Sequence, residues 1–400
     1  MELPAYVQKA INILEKSGYE AYVVGGAVRD CLLKKKPNDY DVSTNARPEE
    51  VKAVFGNYYT LDTGIKHGTV TVFIDHHQLE ITTYRNEGDY QDFRRPKKVT
   101  FVSNLDTDLQ RRDFTINALA YNRKIIDRVS GIADLNNKII RAIGNPQERF
   151  TEDPLRILRA LRFGAELGFT IEPATKQAVF ANAYLIEKVS NERINVEFNK
   201  LLAASGAVKV LSEYFPVILC FLPEYHNIEP TPYLFAISYL DDFILRLAAF
   251  FRPLAGATDM VMRRLKYSKA LIKKVTFLID HFYLPLSARE QQLTELLLQY
   301  EYDDLIDLTA LLIAFEKAKN ADSGELRTVQ RELNRIYQDK KYFRISDLNI
   351  SGRDLLDIGY QEGVGIRLAL ECLLSEVISG HLVNQKEDLL KRAEQIKKGR

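Results

Sequence analysis

The spacing of apolar residues divides the chain into a strand-rich first part and a helical remainder. A helical period of apolar positions predicts a helix over residues 5–17, and short apolar runs predict strands at 21–24 and 39–43. A second helix is predicted from Pro48 to Phe55. The change to helical periodicity near residue 145 indicates a domain boundary, since all of the predicted strands precede it.

A β-rich stretch follows the second predicted helix. Two alternating runs, residues 69–74 and 78–84, are joined by Asp75-His76-His77 and predict a β-hairpin. Gly64 to Gly68 predicts a loop that enters this hairpin. Residues 85–98 are polar, charged and rich in turn-forming residues, which predicts a loop too charged to be buried.

Composition adds limits on the class of protein. Four hundred residues suggest two to four domains or one elongated array. No apolar run is long enough to span a bilayer, and the N-terminus lacks the apolar core of a signal peptide. Three scattered cysteines without metal-site spacing indicate reduced thiols in a cytoplasmic protein. The net charge is only +1, so a nucleic-acid partner would require local basic patches.

The candidate chemistry begins with two short patterns. Gly25-Gly26 stands between a predicted strand and a predicted helix, where the backbone can approach a phosphate closely. Asp39 and Asp41 alternate along a predicted strand, so their side chains share one face. Two adjacent carboxylates favour a hard cation such as Mg²⁺. Either pattern alone is more often a plain turn or solvated surface; together, in this order, they favour nucleotidyl transfer.

These residues carry a resemblance to a known family. Gly25-Gly26-x-Val28-Arg29-Asp30 followed by Asp39-x-Asp41 resembles the bacterial class II tRNA nucleotidyltransferase and poly(A) polymerase family. The resemblance implies an α+β protein, with a polymerase β-like nucleotidyltransferase head containing a mixed sheet, followed by an all-α neck, body and tail. The corresponding predicted segments are 1–145, 146–205, 206–330 and 331–400.

A second segment, Arg111-Arg112-Asp113-Phe114, is similar to the second motif of that family. The arginines offer cations to phosphates, and the aspartate can accept hydrogen bonds from ribose hydroxyls. The apolar run that follows predicts a helix. Arg112 and Asp113 are therefore expected near the sugar and phosphates of a nucleotide.

The most informative helix begins near Pro154, with Thr151 or Asp153 as its cap. One stripe contains four charged residues, and a second, apolar stripe faces a core. The members of the charged stripe are Asp153, Arg156, Arg159 and Arg162, and those of the apolar stripe are Leu155, Leu158 and Leu161. By pattern alone, an amphipathic helix with solvated arginines is the more common interpretation.

A carboxylate one turn from a guanidinium matches the pairing edges of cytosine and adenine, which place an amine donor beside a ring-nitrogen acceptor. Uracil and guanine present the reverse order. The Glu152-Asp153-x-x-Arg156 spacing resembles the family's fourth motif, which implies that Asp153 and Arg156 read the base. Arg159 and Arg162 are then expected at the triphosphate or ribose. Residues 191–194 with Glu197 resemble a fifth motif that braces this helix.

The resemblance implies the addition of CCA to the 3′ end of tRNA from CTP and ATP, with release of pyrophosphate. Asp39 and Asp41 would be catalytic and would bind Mg²⁺; Gly26, Arg29 and Arg112 would bind the nucleotide. Whether Glu80 is a third metal carboxylate stays open.

Rival functions within the family are CC-only or A-only addition and poly(A) synthesis. The full-length segment EGDYQDFRRPKK between the first two motifs favours complete CCA addition. A rival of another class is a noncatalytic RNA-binding protein with a degenerate head. We expect no membrane association, a monomer or homodimer, and a tail that binds tRNA.

Overall fold

The computed structural model of the chain describes residues 1–87, 90–91, 95–96, 99–340 and 343–398. It separates into two compact units: Met1–Glu229 with Met260–Tyr267, and Pro230–Asp259 with Ser268–Arg400. The division into four segments that the sequence suggests is finer than this one and stays a prediction.

All of the strands found among the described residues belong to the first unit. They are β1 (Ala21–Val24), β2 (Asp41–Thr44), β3 (Thr60–Gly64), β4 (Thr69–Ile74), β5 (His77–Thr83), β6 (Arg85–Glu87), β7 (Tyr90–Gln91), β8 (Arg95–Pro96), β9 (Val99–Phe101), β10 (Leu119–Asn122), β11 (Lys124–Asp127), β12 (Ile139–Ile140) and β13 (Thr170–Ile171).

Helices occur in both units, and one of the points at which the chain passes between the units falls within the thirteenth. They are α1 (Ala5–Lys16), α2 (Gly26–Leu32), α3 (Pro48–Val54), α4 (Leu105–Gln110), α5 (Gly131–Asn136), α6 (Pro146–Glu152), α7 (Leu155–Leu167), α8 (Pro173–Asn182), α9 (Asn191–Ala203), α10 (Ala207–Leu219), α11 (Thr231–Ile237), α12 (Phe243–Phe251), α13 (Thr258–Arg264), α14 (Lys269–Asp280), α15 (Glu290–Gln299), α16 (Tyr302–Ala318), α17 (Gly324–Lys340), α18 (Gly352–Asp357), α19 (Val364–Ile378) and α20 (Lys386–Lys398).

Seven strands form one mixed sheet in the order β11-β10-β1-β2-β5-β4-β3. The β2–β5 pair is parallel, whereas the other neighbouring pairs are antiparallel. The predicted hairpin is present as β4 and β5, joined by Asp75 and His76 with φ angles of 48° and 65°. Two consecutive positive φ angles match the twist that a two-residue hairpin requires. The predicted α+β class with a mixed sheet in the head is confirmed.

The two faces of the sheet bury different sets of side chains. Val23 packs in a core with α1 and α3, while the next residue, Val24, packs in a second core with Leu105 and Leu109 of α4. Asp41 lies directly opposite Val24 in the antiparallel register. Because opposed residues of neighbouring strands share a face, Asp41 lies on the α4 side of the sheet.

Two of the predicted elements have different boundaries in the structure. The strand predicted at 39–43 begins only at Asp41, so Asp39 precedes the strand rather than alternating along it. The loop predicted for Gly64–Gly68 contains the end of β3 and a short 3₁₀ helix, Ile65–His67. Strand β3 was not predicted, because its sequence, TLDTG, has no alternating apolar pattern.

The prediction of a plain loop over residues 85–98 is wrong for the residues that the structure describes. Strand β6 pairs with β9, and β7 pairs with β8, both antiparallel. The centre of this segment, which is predicted to be exposed, lies outside the residues that the structure describes. Short polar strands of this kind lack an apolar alternation, and their pairing is set by the chain around them.

The helix predicted after Asp113 is also wrong. Residues Thr115–Asn117 form a 3₁₀ turn, and the apolar run then enters β10 between β11 and β1. Leu119 and Ala120 are both completely buried although they point to opposite faces. A short continuous apolar run does not distinguish a buried strand from a helix, because neither shows alternation.

After residue 145 the chain is helical, as predicted, apart from the two-residue strand β13, which pairs in parallel with β12. In the second unit, one core cluster includes Leu293, Leu305 and Leu333, and another includes Leu355 and Leu373. None of the helices that the structure describes is long and apolar enough to cross a membrane. The three cysteines are free thiols.

Candidate active site

The paired glycines form a sharp turn between β1 and α2. Gly25 has φ 73° and ψ −136°, a backbone conformation that glycine adopts without steric cost. A Cβ atom at Gly25 would lie 3.2 Å from Nη1 of Arg112, so the absence of a side chain brings this arginine against the turn. The Gly25 amide donates a hydrogen bond to the Leu119 carbonyl at 3.1 Å. The turn is thereby held against β10.

The acidic pair lies beside this turn. Asp39 and Asp41 both line the cavity that also contains Gly25 and Gly26. The expectation that the two carboxylates are neighbours therefore holds, although Asp39 reaches its place from the segment that precedes β2 and not from the strand itself. Glu80 is the register partner of Asp41 on β5, so their side chains lie on the same face of the sheet.

The surroundings of Asp41 disfavour its ionised form. Its side chain is exposed to solvent, yet it lies in a recess where protein surrounds it on most sides. Partial loss of hydration, together with the charges of Asp39 and Glu80, raises the pKa of Asp41 to about 6, against the opposing effect of Arg112. Carboxylates that repel one another in this way can be stabilised by a divalent cation.

The donor set fits magnesium in kind, because Mg²⁺ prefers oxygen ligands and is commonly held by one or two carboxylates together with water and substrate phosphates. Among the described residues, no three carboxylate, imidazole or thiolate groups are close enough to form a metal site without other ligands. Two carboxylates alone would leave positions on a magnesium ion for water and substrate phosphates.

Arg111 and Arg112 follow α4 and are held by one acidic residue that the sequence did not single out. The carboxylate of Asp108 is completely buried and accepts from Nη2 of Arg111 at 2.7 Å and from Nη2 of Arg112 at 3.1 Å. Burial alone would raise the pKa of Asp108, but Arg112 and Arg111 lower it below its usual range. This contact could have been predicted from the sequence, because Asp108 precedes Arg111 by three residues and Arg112 by four, a spacing that places all three side chains on one helical face.

Asp113 is also buried and is engaged mainly within the protein. One carboxylate oxygen accepts from Nε and Nη2 of Arg159 at 2.8 and 2.6 Å, and the other accepts from the Phe114 amide and from Nδ2 of Asn117. Burial raises its pKa, yet the Arg159 guanidinium outweighs this effect and lowers the pKa to about 2. Asp113 therefore fixes Arg159, and the predicted contact with a ribose hydroxyl stays a prediction.

Helical structure is interrupted at Asp153, between α6 and α7. Oδ1 of Asp153 accepts from the Leu155 amide at 3.1 Å, so Asp153, and not Thr151, serves as the polar cap of α7. Thr151 instead donates to carbonyls within α6. Both oxygens of Asp153 also accept from Arg193 of α9, at 3.3 and 2.8 Å. The predicted bracing of this helix by the residues near 191–197 is present in the structure.

The arginines of α7 are held rather than solvated. Arg156 is 7% exposed, and its Nη1 donates to Glu152 at 2.7 Å. Arg162 is 8% exposed, and its Nε lies 2.6 Å from Glu197 of α9. The alternative of solvated arginines is therefore wrong for these two. The second stripe of the helix is buried as predicted, at Leu155, Leu158 and Leu161.

Arg29 connects α2 to the same group of side chains. It is 8% exposed, donates from Nη1 to Asn117 at 2.7 Å and from Nε to Asp30 at 2.8 Å. Asn117 thus joins Arg29 to Asp113. The sequence analysis missed Asn117, because an asparagine within an apolar run carries no distinctive spacing.

One cavity of about 570 Å³ brings these residues together. All of the predicted site residues contribute to its lining: Gly26, Arg29, Asp39, Asp41, Arg112, Asp153, Arg156, Arg159 and Arg162. The lining also contains Phe163 and Arg193. A pair of carboxylates, a set of arginines and a fixed Asp153 next to Arg156 can together bind a metal-associated triphosphate and a base edge.

Models of three protein families match parts of the chain. The model of the poly A polymerase head domain matches residues 21–141, which contain the acidic pair. A probable RNA- and SrmB-binding site of polymerase A matches residues 168–214, and a putative second domain of tRNA nucleotidyltransferases matches residues 249–393.

Similar proteins cover nearly the whole chain. The CCA-adding enzyme of Ligilactobacillus salivarius (strain UCC118) is 37% identical, over 98% of this chain and 98% of that protein. The CCA-adding enzyme of Streptococcus thermophilus (strain CNRZ 1066) is 34% identical, over 97% of this chain and 96% of that protein. The crystal structure of the Bacillus stearothermophilus CCA-adding enzyme in complex with CTP matches with a TM-score of 0.79 and 29% identity, over 99% of each chain. The chain therefore belongs to the family of CCA-adding enzymes, which are tRNA nucleotidyltransferases.

Proposed function

We propose that this nucleotidyltransferase adds and repairs the terminal CCA of tRNA without a nucleic-acid template, using CTP and ATP and releasing pyrophosphate. The observation that carries the proposal is the single cavity in which Asp39 and Asp41 face the arginines of the Arg111-Arg112 segment and of α7. The identity to CCA-adding enzymes over nearly the full length supports it.

Asp39 and Asp41 would hold Mg²⁺, and Glu80, which lies beside Asp41 in the sheet register, is the candidate for a third carboxylate. An ion held there would supply Lewis-acid activation of the 3′-hydroxyl of the tRNA and charge stabilisation of the leaving pyrophosphate. Two properties support this role of the aspartates: they offer carboxylate oxygens, which magnesium prefers as ligands, and the pKa of Asp41 is raised.

Gly26, Arg29 and Arg112 would bind the triphosphate, and Arg159 and Arg162 would contact the triphosphate or the ribose. All four arginines line the cavity, and each also contacts a polar side chain of the protein: Asn117, Asp108, Asp113 and Glu197 for Arg29, Arg112, Arg159 and Arg162, respectively. Guanidinium groups that are already oriented match phosphate oxygens through paired hydrogen bonds, and little side-chain freedom is lost on binding.

Asp153 and Arg156 would select the base. A carboxylate oxygen has two lone pairs, so Oδ2 of Asp153, which accepts from Nη2 of Arg193, can still accept from an exocyclic amine. Arg156 would donate to the adjacent ring nitrogen of cytosine or adenine. Uracil and guanine would leave buried groups unpaired, at about 1–3 kcal/mol for each group.

The remaining assignments are broader. The segments 1–145, 146–205, 206–330 and 331–400 would act as head, neck, body and tail, with the tail binding tRNA. We place the reaction in the cytoplasm, which contains tRNA and both nucleotides, and expect a monomer or homodimer.

The deciding experiment is incorporation by the purified protein on tRNA that ends at its discriminator base, with Mg²⁺ and with CTP, ATP or both. Three added nucleotides with both substrates, and two with CTP alone, support the proposal. Two nucleotides in either case indicate a CC-adding enzyme, and long adenosine tracts indicate a poly(A) polymerase. No incorporation would favour the noncatalytic RNA-binding function.

A further inference from the structure

A single aromatic ring, Phe163 of α7, is surrounded by three cationic side chains. The guanidinium carbons of Arg162, Arg29 and Arg159 lie 4.1, 5.2 and 5.4 Å from the centre of the ring. All three distances fall within the range of about 6 Å over which an aromatic face attracts a cation. Phe163 is only 4% exposed and lines the cavity, so water competes weakly for these contacts.

The three guanidinium groups come from two helices and have several polar partners. Arg29 belongs to α2, whereas Arg159 and Arg162 belong to α7. Their polar partners include Asn117 for Arg29, Asp113 for Arg159 and Glu197 for Arg162, and Glu197 also lies 3.6 Å from Arg159. The ring of Phe163 contacts all three guanidinium groups. Its own orientation is set in part by Phe114, whose ring packs edge-on at 5.8 Å.

We propose that Phe163 is a positioning residue for nucleotide binding, which holds Arg29, Arg159 and Arg162 in place for the triphosphate. An aromatic ring attracts guanidinium groups without a formal charge and without accepting N–H hydrogen bonds in the plane of the guanidinium. It therefore restrains these arginines and leaves their N–H donors available to phosphate oxygens. A carboxylate in the same place would occupy donors and cancel positive charge.

The inference rests on the proposed function, since it assigns these arginines to the triphosphate. It also predicts which property of the enzyme changes. The three arginines that the ring of Phe163 contacts are assigned to the triphosphate, which CTP and ATP share, so loss of the ring should weaken binding of CTP and ATP alike. Selection of cytosine over uracil depends on Asp153 and Arg156 and should stay unchanged.

The test is Phe163→Leu, which keeps most of the apolar volume but removes the aromatic face. We expect KM for both CTP and ATP to rise about tenfold, with a smaller change in kcat and an unaltered CTP-to-UTP preference. Phe163→Tyr retains the ring and should recover most of the loss. Phe215→Leu is the matched control, because Phe215 is a buried ring of α10 that packs on Tyr225 and does not line the cavity.

A second measurement covers the case in which Phe163→Leu folds poorly. Placing 3,5-difluorophenylalanine at position 163 keeps the shape of the ring and weakens its negative face, so KM should still rise. An unchanged KM in the fluorinated protein, or an equal rise in KM for Phe215→Leu, would overturn the inference. If the wild-type protein itself adds no nucleotide to tRNA, the proposed function fails; if it adds CCA and only the KM effect is missing, the inference alone fails.

Discussion

The buried ion pair between Asp113 and Arg159 offers a quantitative test of how the site is built. Replacing Asp113 by asparagine keeps the shape and one acceptor oxygen but removes the charge that faces the guanidinium. Arg159 would still have a carboxylate neighbour in Glu197, whose Oε1 lies 3.6 Å from Nη1 of Arg159. Asp113 is 9% exposed, so water cannot readily replace the lost partner.

The size of the effect follows from the pKa of Asp113, which is lowered from 3.8 to about 2 in the folded protein. A difference of this size corresponds to ~2–3 kcal/mol of folding stability. Because the folded pKa is the lower one, this stability is present above about pH 4 and is lost as the pH falls towards 2. Asp113→Asn should therefore destabilise the first unit by ~2–3 kcal/mol at pH 7 and by clearly less at pH 3.

The chain contains two compact units, so a single unfolding transition of the whole chain would not isolate this effect. Urea-dependent hydrogen exchange of peptides that span residues 114–122 reports on the unit containing the pair. Asp106→Asn is the control, since its ion pair with Arg128 is exposed and should contribute less than ~1 kcal/mol. Equal stability of Asp113→Asn and wild type at pH 7, or a difference that grows on acidification, would refute the reasoning.

Four further substitutions test the proposed roles. Asp39→Ala and Asp41→Ala should each abolish incorporation while the circular dichroism spectrum is retained; activity in both would contradict the metal assignment. Arg193→Met removes the partner that orients Asp153, so discrimination of CTP against UTP should fall by about tenfold or more, as measured by competitive incorporation. Gly25→Ala meets both a positive φ and a contact at 3.2 Å, and should cost ~1 kcal/mol or more in thermal stability and raise KM for both nucleotides.

The sequence alone was sufficient for the parts of the fold that have a local signature. The hairpin of β4 and β5, the first three helices and the two stripes of α7 follow from periodicity and turn residues, and all are present. The prediction of a helix after Asp113 was wrong for a physical reason. Its apolar run enters a strand that is covered on both faces, and a strand buried in this way has lost the alternation that would identify it.

A site residue could be predicted where its chemical role and its spacing from a partner residue are both visible in the sequence. Asp39 with Asp41 and Asp153 with Arg156 are pairs of this kind. Asp108, Asn117 and Phe163 were missed because their importance arises from tertiary contacts. Only the fold brings Arg29, from α2, against the ring of Phe163 on α7. Asp108 is the partial exception, since its helical spacing to Arg111 and Arg112 could have indicated the contact.

Three carboxylates, only one of which the sequence analysis missed, explain how this cavity could bind a triphosphate rapidly and in one orientation. Asp108, Asp113 and Glu197 each hold at least one cavity arginine from within the protein. A long side chain that is already fixed loses little conformational freedom when a phosphate arrives, and preset dipoles need no reorganisation in the reaction. Substitution of these carboxylates should therefore impair nucleotide binding in the same way as substitution of the arginines, even though the proposed substrate contacts are made by the arginines.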